Sequence, residues 1–398
     1  MNTTSLPVLR RFGVPVLALF IASILSSCAK DVGTSPSDHS GMISSPIPIS
    51  PGEMKVPSNN PMYSSIPAMA QQISAKIELG RHLFYDKNMS VDRTTSCASC
   101  HSAQMAFSDI VATSKGFQGQ HGTRNAPGLS NVGFNTAFTW DGRFKTLEEH
   151  VPGPIFNSLE MGNNLRNPND SSGGNDTLSS GYNSKPGNND TLFLFKRLSG
   201  TGSDVNGITY ADLFKAAWGD PKISMDRIAK SIASFERTIL SATSSFDKYN
   251  KSDQSAISES AKQGYQIFID PNKANCVSCH AGYNFTDQKF HDNGIGSSSV
   301  TDQGRFNITK IPSDAFKFKT PTLRNITLTG PYMHDGRFST ITEVISHYNS
   351  GGKGTQGQDP AVKKLNLSTT DVANIIEFLK TLQDDKFTSN EIFRNPWQ

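Results

Sequence analysis

Two five-residue stretches carry the most specific chemistry in this sequence: Cys97-Ala98-Ser99-Cys100-His101 and, 179 positions later, Cys276-Val277-Ser278-Cys279-His280. In a Cys-x-x-Cys-His unit the two thiols lie one helical turn apart. Each can then add to a vinyl group of one haem, and the histidine that follows lies under the iron as its axial ligand. A zinc site or a thioredoxin-like dithiol would use the same cysteines but would not require a histidine directly after the second one. The duplicate copy therefore predicts two covalently bound c-type haems. Cys97, Cys100, Cys276 and Cys279 are the expected attachment points, and His101 and His280 the expected iron ligands.

The fifth cysteine, Cys28, has a different setting. Arg10 and Arg11 precede an apolar run from Phe12 to Leu25, which ends in Leu25-Ser26-Ser27-Cys28. The run is too short to span a bilayer and reads as a signal peptide over 1–27 with a lipoprotein-type cleavage box. Cleavage before Cys28 would leave a lipid-anchored chain in the periplasm or cell envelope, the compartment where c-type haems are attached in bacteria. An uncleaved anchor would place it there too.

The formal charge of +3 with 18% charged residues, and the lack of a basic stripe, give no sign of nucleic-acid binding. From Cys28 onward 371 residues remain, more than one core normally spans. Residues 28–65 are rich in Ser, Pro and Gly and read as a flexible tether, with His39 a solvated linker residue. Two haem domains follow, expected over 66–250 and 251–398, with the last helix a candidate to pack back on the first domain.

The elements that must position the two motifs repeat along with them. Gly80-Arg81-His82-Leu83-Phe84 ahead of the first motif is echoed by Gly264-Tyr265-Gln266-Ile267-Phe268 ahead of the second. Ala126-Pro127-Gly128-Leu129 is followed, 14 residues after its proline, by Asp141-Gly142-Arg143-Phe144, and Thr320-Pro321-Thr322-Leu323 is followed at the same interval by Asp335-Gly336-Arg337-Phe338. Such spacing predicts an internal duplication of a helical haem-binding unit. Amphipathic patterns predict helices near Tyr210–Trp218, from Met225 to about Tyr249, and after the Ser368-Thr-Thr-Asp371 cap. Residues 163–190, rich in Asn and Gly, read as a long mobile loop.

Several further stretches make the chain recognisable: Arg124-Asn125-Ala126-Pro127, Trp140-Asp141-Gly142-Arg143, Gly153-Pro154-Ile155 leading to Glu160-Met161-Gly162, and Thr329-Gly330-Pro331-Tyr332-Met333-His334-Asp335-Gly336. From about residue 70 to 385 the sequence resembles the bacterial di-haem cytochrome c peroxidase family, including its MauG-type branch, whose members mature the quinone cofactor of methylamine dehydrogenase. The resemblance implies a mainly α fold of two cytochrome c-like haem domains related by internal duplication, with the first haem the peroxide site, the second passing electrons to it, and a Ca2+ between them. Glu160 matches the family's catalytic glutamate; taken alone it reads as a surface residue. His150 stands where the family usually has a glutamine in the same pocket, a place from which it could share the acid–base role; by itself it reads as an exposed helix histidine. Trp140 matches the indole between the haems. Asn125, Thr329 and Pro331 match positions that give oxygen ligands to the Ca2+.

Two positions depart from the reductively activated peroxidases. Where many of them hold a releasable distal histidine, this chain has Phe117, with His121 the nearest histidine. Fourteen residues after His334, where they have a ligating methionine, it has Tyr348, as the MauG branch does; periodicity alone would make Tyr348 a core residue of a helix through Ile341, Val344 and Ile345. The resemblance implies a peroxidase that reduces hydrogen peroxide with electrons from a small donor such as a mono-haem cytochrome c or a copper protein. Its closest alternative spends the same oxidising power on residues of a partner protein. A plain electron carrier needs no proton shuttle, so Glu160 argues against it. A homodimer is compatible with the sequence.

Overall fold

The computed structural model describes residues 74–164, 188–200, 202, 206–296 and 302–398, all within the compact unit that runs Ile43–Gln398. The signal peptide, Cys28 and the tether lie outside the described residues, as does most of the Asn- and Gly-rich stretch. Among the described residues the architecture is helical, and its only strands are Phe290–His291 and Phe318–Lys319, an antiparallel pair two residues long.

Six helices do most of the positioning: α1 (Ser74–Tyr85), α2 (Tyr210–Trp218), α3 (Met225–Glu236), α4 (Glu259–Ile269), α5 (Ile341–Ser350) and α6 (Thr369–Lys380). They close two separate hydrophobic cores. In the first, α1 packs on α2 and α3 around Leu83, Phe84, Phe107, Ile232 and Phe235. In the second, α4 packs on α6 around Phe246, Phe268, Phe285 and Phe378, with rings meeting edge to face at 5.1–5.5 Å. A buried Phe contributes about 1.5–3 kcal/mol, so these clusters dominate each core.

The two glycines of the sequence echo sit at equivalent places. A Cβ on Gly80 would lie 1.9 Å from the Ser231 carbonyl oxygen of α3, and one on Gly264 would lie 1.9 Å from that of Asn374 in α6. Each core is thus built on one helix pair crossing at backbone contact, and the repeat marks that crossing. Gly264→Ala should push the pair apart and destabilise the protein by about 1–3 kcal/mol, the usual cost of overpacking. Chemical denaturation measures it, and an unchanged midpoint would show that the crossing tolerates a methyl group.

The helix expected from Met225 to about Tyr249 is broken in two. α3 ends at Glu236, and Ser244 caps a new short helix, Ser245–Asn250. Between them the chain turns around the buried carboxylate of Asp384, which accepts from the Ala242 and Thr243 amides at 3.0 and 2.8 Å and from the Thr243 hydroxyl at 2.8 Å. A distant acceptor for two main-chain amides outweighs continued helical periodicity. Phe246 and Tyr249 belong to the second core, so the change of core falls between Ile239 and Phe246, ahead of the expected boundary.

α6 stays with the second core. The chain after it returns to the first: Phe387 and Phe393 are buried there, Arg81 donates to the Arg394 carbonyl at 3.0 Å, and Trp397 Nε1 donates to the His82 carbonyl at 2.9 Å. The expected back-packing is therefore made by the tail, not by the amphipathic helix.

Candidate active site

Each motif is one tight turn. The helical turn Cys97–Cys100 closes with the His101 amide on the Cys97 carbonyl at 3.0 Å, and the 3-10 turn Cys276–Ser278 is followed by the His280 amide on the Cys276 carbonyl at 2.9 Å. A short loop then doubles back. His101 Nδ1 bonds to the Phe107 carbonyl and His280 Nδ1 to the Phe285 carbonyl, both at 2.9 Å. Phe107 and Phe285 are themselves core rings with left-handed backbones (φ +59° and +50°). Each core thereby fixes a carbonyl that can accept only from an Nδ1–H, and the lone pair is left on Nε2.

All four motif cysteines are free thiols, and burial pushes those of Cys97, Cys100 and Cys276 up, Cys100 to about 11 and Cys276 to about 12. Neither motif gathers its own two sulfurs and imidazole into a metal-ligand cluster. The only such cluster among the described residues is Cys279, Asp287 and His291. There the imidazole is bracketed by Asp287 at 2.9 Å and Asp359 at 2.6 Å, and contacts with the Cys279 sulfur and these carboxylates raise it to about 10. A protonated imidazole is not a metal ligand. Two sulfurs one turn apart, followed by an imidazole bonded through Nδ1 so that Nε2 keeps its lone pair, fit covalent haem attachment.

One continuous cavity of about 2130 Å³ is lined by residues of both motifs. Trp140, His150, Glu160 and Tyr348 line it, as do Asn125, Thr329 and Pro331. His121 does not: it is exposed and tied to the Thr113 carbonyl at 2.9 Å. Phe117 is buried behind the Glu160 backbone, its amide donating to the Glu160 carbonyl at 2.7 Å. This close approach requires Gly116, whose Cβ would lie 2.1 Å from the Leu159 carbonyl oxygen.

His150 is not the exposed helix residue that its position alone suggested. The turn Leu147–His150 aims it inward, stacked 6.2 Å from Phe138 and edge-on 5.4 Å from Phe144. Burial, with the His101 and Arg143 charges, pushes it down to about 4, so its imidazole is neutral at pH 7. Glu160 is likewise no freely solvated surface residue: it is partly buried and lines the same cavity. Burial raises its carboxyl above the usual range against two opposing influences, the Asn157 amide on Oε1 at 2.6 Å and the Arg143 charge.

Arg143 reaches both groups because Asp141 pins it at 2.6 Å. Asp141 also holds Arg124 at 2.6 Å, and although burial opposes its charge, Arg143 and Arg124 keep it down to about 2. Trp140 is held at both ends: its Nε1 donates to the Asn125 carbonyl at 2.9 Å and its own carbonyl accepts the Lys319 amide at 2.7 Å.

At the second motif the adjacent pair His347 and Tyr348 is split by the helix. Tyr348 lines the cavity, its hydroxyl accepting from Asn293 Nδ2 at 3.2 Å, and burial pushes the phenol up to about 12. His347 is buried against Asn293 on another face, its Nε2 3.0 Å from that residue's carbonyl. Asn293, which also reaches Met333 Sδ at 3.4 Å, was not singled out by sequence reasoning, and no spacing rule would have found it. Lys319 was missed as well: it is almost wholly buried beside the cavity and pushed down to about 8 by burial, and its one sequence signal is a charge directly ahead of Thr320-Pro321-Thr322-Leu323.

Residues 74–255 match the family described as di-haem cytochrome c peroxidase, and residues 261–383 the family described as cytochrome c. The methylamine utilization protein MauG of Methylophilus methylotrophus is 36% identical over 311 residues, 77% of this chain and 82% of that protein. The chain belongs to the di-haem cytochrome c peroxidase family. The cytochrome c551 peroxidase of Nitrosomonas europaea, another relative, is 31% identical over 330 residues, 82% of this chain and 85% of its own. Among solved structures, a MauG-like protein associated with microbial copper homeostasis superimposes with a TM-score of 0.72 at 29% identity, covering 83% of this chain and 96% of that one. Membership of the family carries the mainly helical two-domain fold and implies two c-type haems. No helix among the described residues is long and apolar enough to cross a membrane.

Proposed function

We propose that this protein is a peroxidase that reduces hydrogen peroxide to water, with both haems attached at the two motifs and electrons supplied by a small redox protein, a mono-haem cytochrome c or a copper protein. The observation that carries this reading is the partly buried pair Glu160 and His150, both lining the cavity that His101 also lines, an arrangement an electron carrier does not need. When bound, the haems would supply redox-active irons, with His101 and His280 as the residues that would hold them. The overall reaction consumes one peroxide, two protons and two electrons, and gives two waters.

The protein's own part is to hold and move the protons. Glu160, with its carboxyl raised by burial, keeps a proton at higher pH than a solvated glutamate, and Asn157 fixes one oxygen so that the other serves the peroxide. His150, neutral, can accept the proton that the near peroxide oxygen loses. Arg143 limits how far the Glu160 pKa rises and so keeps that proton transferable. Trp140, immobilised between Asn125 and Lys319, is assigned the electron relay between the two sites. Asn125, Thr329 and Pro331 offer neutral oxygens in the same cavity and are the assigned Ca2+ ligands. We place the mature chain in the periplasm or cell envelope, tethered through Cys28.

A second reading, an oxidase that modifies residues of a partner protein, is favoured by Tyr348 and by the resemblance to MauG. Stopped-flow mixing of the as-isolated ferric protein with peroxide, followed by turnover with reduced cytochrome c, separates the two. Mass spectrometry should first find two added haems. Prompt peroxide reaction and steady cytochrome oxidation are expected. Prompt reaction without cytochrome oxidation would favour the partner-modifying reading, and no reaction with peroxide would return the carrier.

A further inference from the structure

Trp140 is not the only oxidisable ring near the first motif. Tyr210, at the start of α2, is 1% exposed in the core against which Cys97 also packs. Its hydroxyl donates to Asp86 Oδ2 at 2.7 Å, and Asp86 is itself buried. Its ring lies 5.7 Å from that of Trp397, centroid to centroid. Trp397 is partly exposed, meets the His82 ring edge-on at 5.1 Å and donates Nε1 to the His82 carbonyl. Phenylalanine could fill the place of Tyr210. A buried hydroxyl and carboxyl cost desolvation that a purely packing role does not require. Together the residues offer two adjacent oxidisable rings running from the first motif to the surface, with a proton acceptor already on the inner one.

We propose that Tyr210 and Trp397 form a one-electron route between the first haem site and the surface, with Asp86 taking the phenolic proton. The route rests on the peroxide-reducing reading above, which supplies the oxidant. When peroxide has withdrawn two electrons from the protein and no donor has replaced them, Tyr210 gives one electron toward the first site and its proton to Asp86. The neutral phenoxyl radical then takes one electron from the Trp397 indole and recovers the proton from Asp86. The hole now sits on a ring that solvent can reach. There an external one-electron reductant, a ferrous cytochrome or a soluble phenol, refills it without entering the haem cavity. If none is present, the indole gives up a second electron by the same route, adds one water at the ring and releases two protons in all, leaving a hydroxylated Trp397 that accounts for both electrons the peroxide withdrew.

The test treats the intact holoprotein with excess peroxide and no donor, then applies freeze-quench electron paramagnetic resonance and peptide mass spectrometry. An aromatic radical and an oxygenated Trp397 peptide are expected. In Tyr210→Phe, at wild-type haem content, oxygenation of Trp397 should fall severalfold. In Trp397→Phe the tyrosyl signal should outlast that of the wild type. Peroxide consumed with the Trp397 peptide intact, or equal oxygenation in Tyr210→Phe, overturns the route. Should Tyr210→Phe lose haem, Trp397→Phe decides alone: an unchanged radical spectrum overturns the route, and a longer-lived tyrosyl supports it. If the wild type consumes no peroxide, the peroxidase reading fails and the route falls with it for want of an oxidant.

Discussion

Glu160→Gln is expected to slow peroxide cleavage by about 100- to 10,000-fold, the range for loss of a positioned acid–base group. The substitution keeps the shape and the polar contact with Asn157 but removes the titratable proton. His150 lines the same cavity, but with its imidazole held down to about 4 it is a weak base at neutral pH, so it should rescue little of the rate. The raised Glu160 carboxyl gives the variant a second signature. In the wild type the protonated carboxyl persists to higher pH than for a solvated glutamate and is lost as pH climbs through its folded value, so the rate should decline on that alkaline limb. Glu160→Gln should lack the limb. Stopped-flow rates across pH, at unchanged haem content, test both expectations. A wild-type rate in the variant would remove Glu160 from the mechanism.

The second large effect is expected at Tyr348. An anionic phenolate oxygen favours the higher oxidation state of an iron it binds, whereas a neutral thioether favours the lower one, and axial ligands span about 0.8 V in haem proteins. Tyr348→Met should therefore raise the potential of the second haem by hundreds of millivolts within that span and bring back a need for one-electron reduction before peroxide reacts. The site can accept the change, since a methionine fits the volume and Asn293 already touches both the Tyr348 hydroxyl and the Met333 sulfur. In the wild type, with Phe117 unable to ligate the first iron, resting electron paramagnetic resonance should show one high-spin and one low-spin ferric haem, and peroxide should react with the diferric protein at once. Two low-spin signals, or an unchanged potential in Tyr348→Met, would rule out the tyrosine ligand. His347 is then a poor substitute, because its Nε2 is committed to the Asn293 carbonyl.

Much of this arrangement was legible in the residues because it is local. A Cys-x-x-Cys-His unit is self-contained within one turn, and a capping box such as Ser368 to Asp371 closes within three residues. The glycine echo was legible too, although its reason, two helix crossings at backbone contact, was not. What failed locally was overruled from far away. Asp384 broke the helix expected through residue 237, and the tail, not α6, returned to the first core.

The sequence by itself determined the two attachment motifs, their duplication and the helical class, since each depends on contacts a few residues apart or on an internal repeat. Only the tertiary structure decided which candidates face the cavity. It turned His150 and Glu160 inward and left His121 outside, and it split Tyr348 from His347 around a single helix. It also supplied the partners that set the chemistry, Arg143 for Glu160 and Asn293 for Tyr348. The physical reason is that protonation and orientation depend on burial and on charges brought close by folding, and those distances are fixed by two cores closing, not by spacing along the chain.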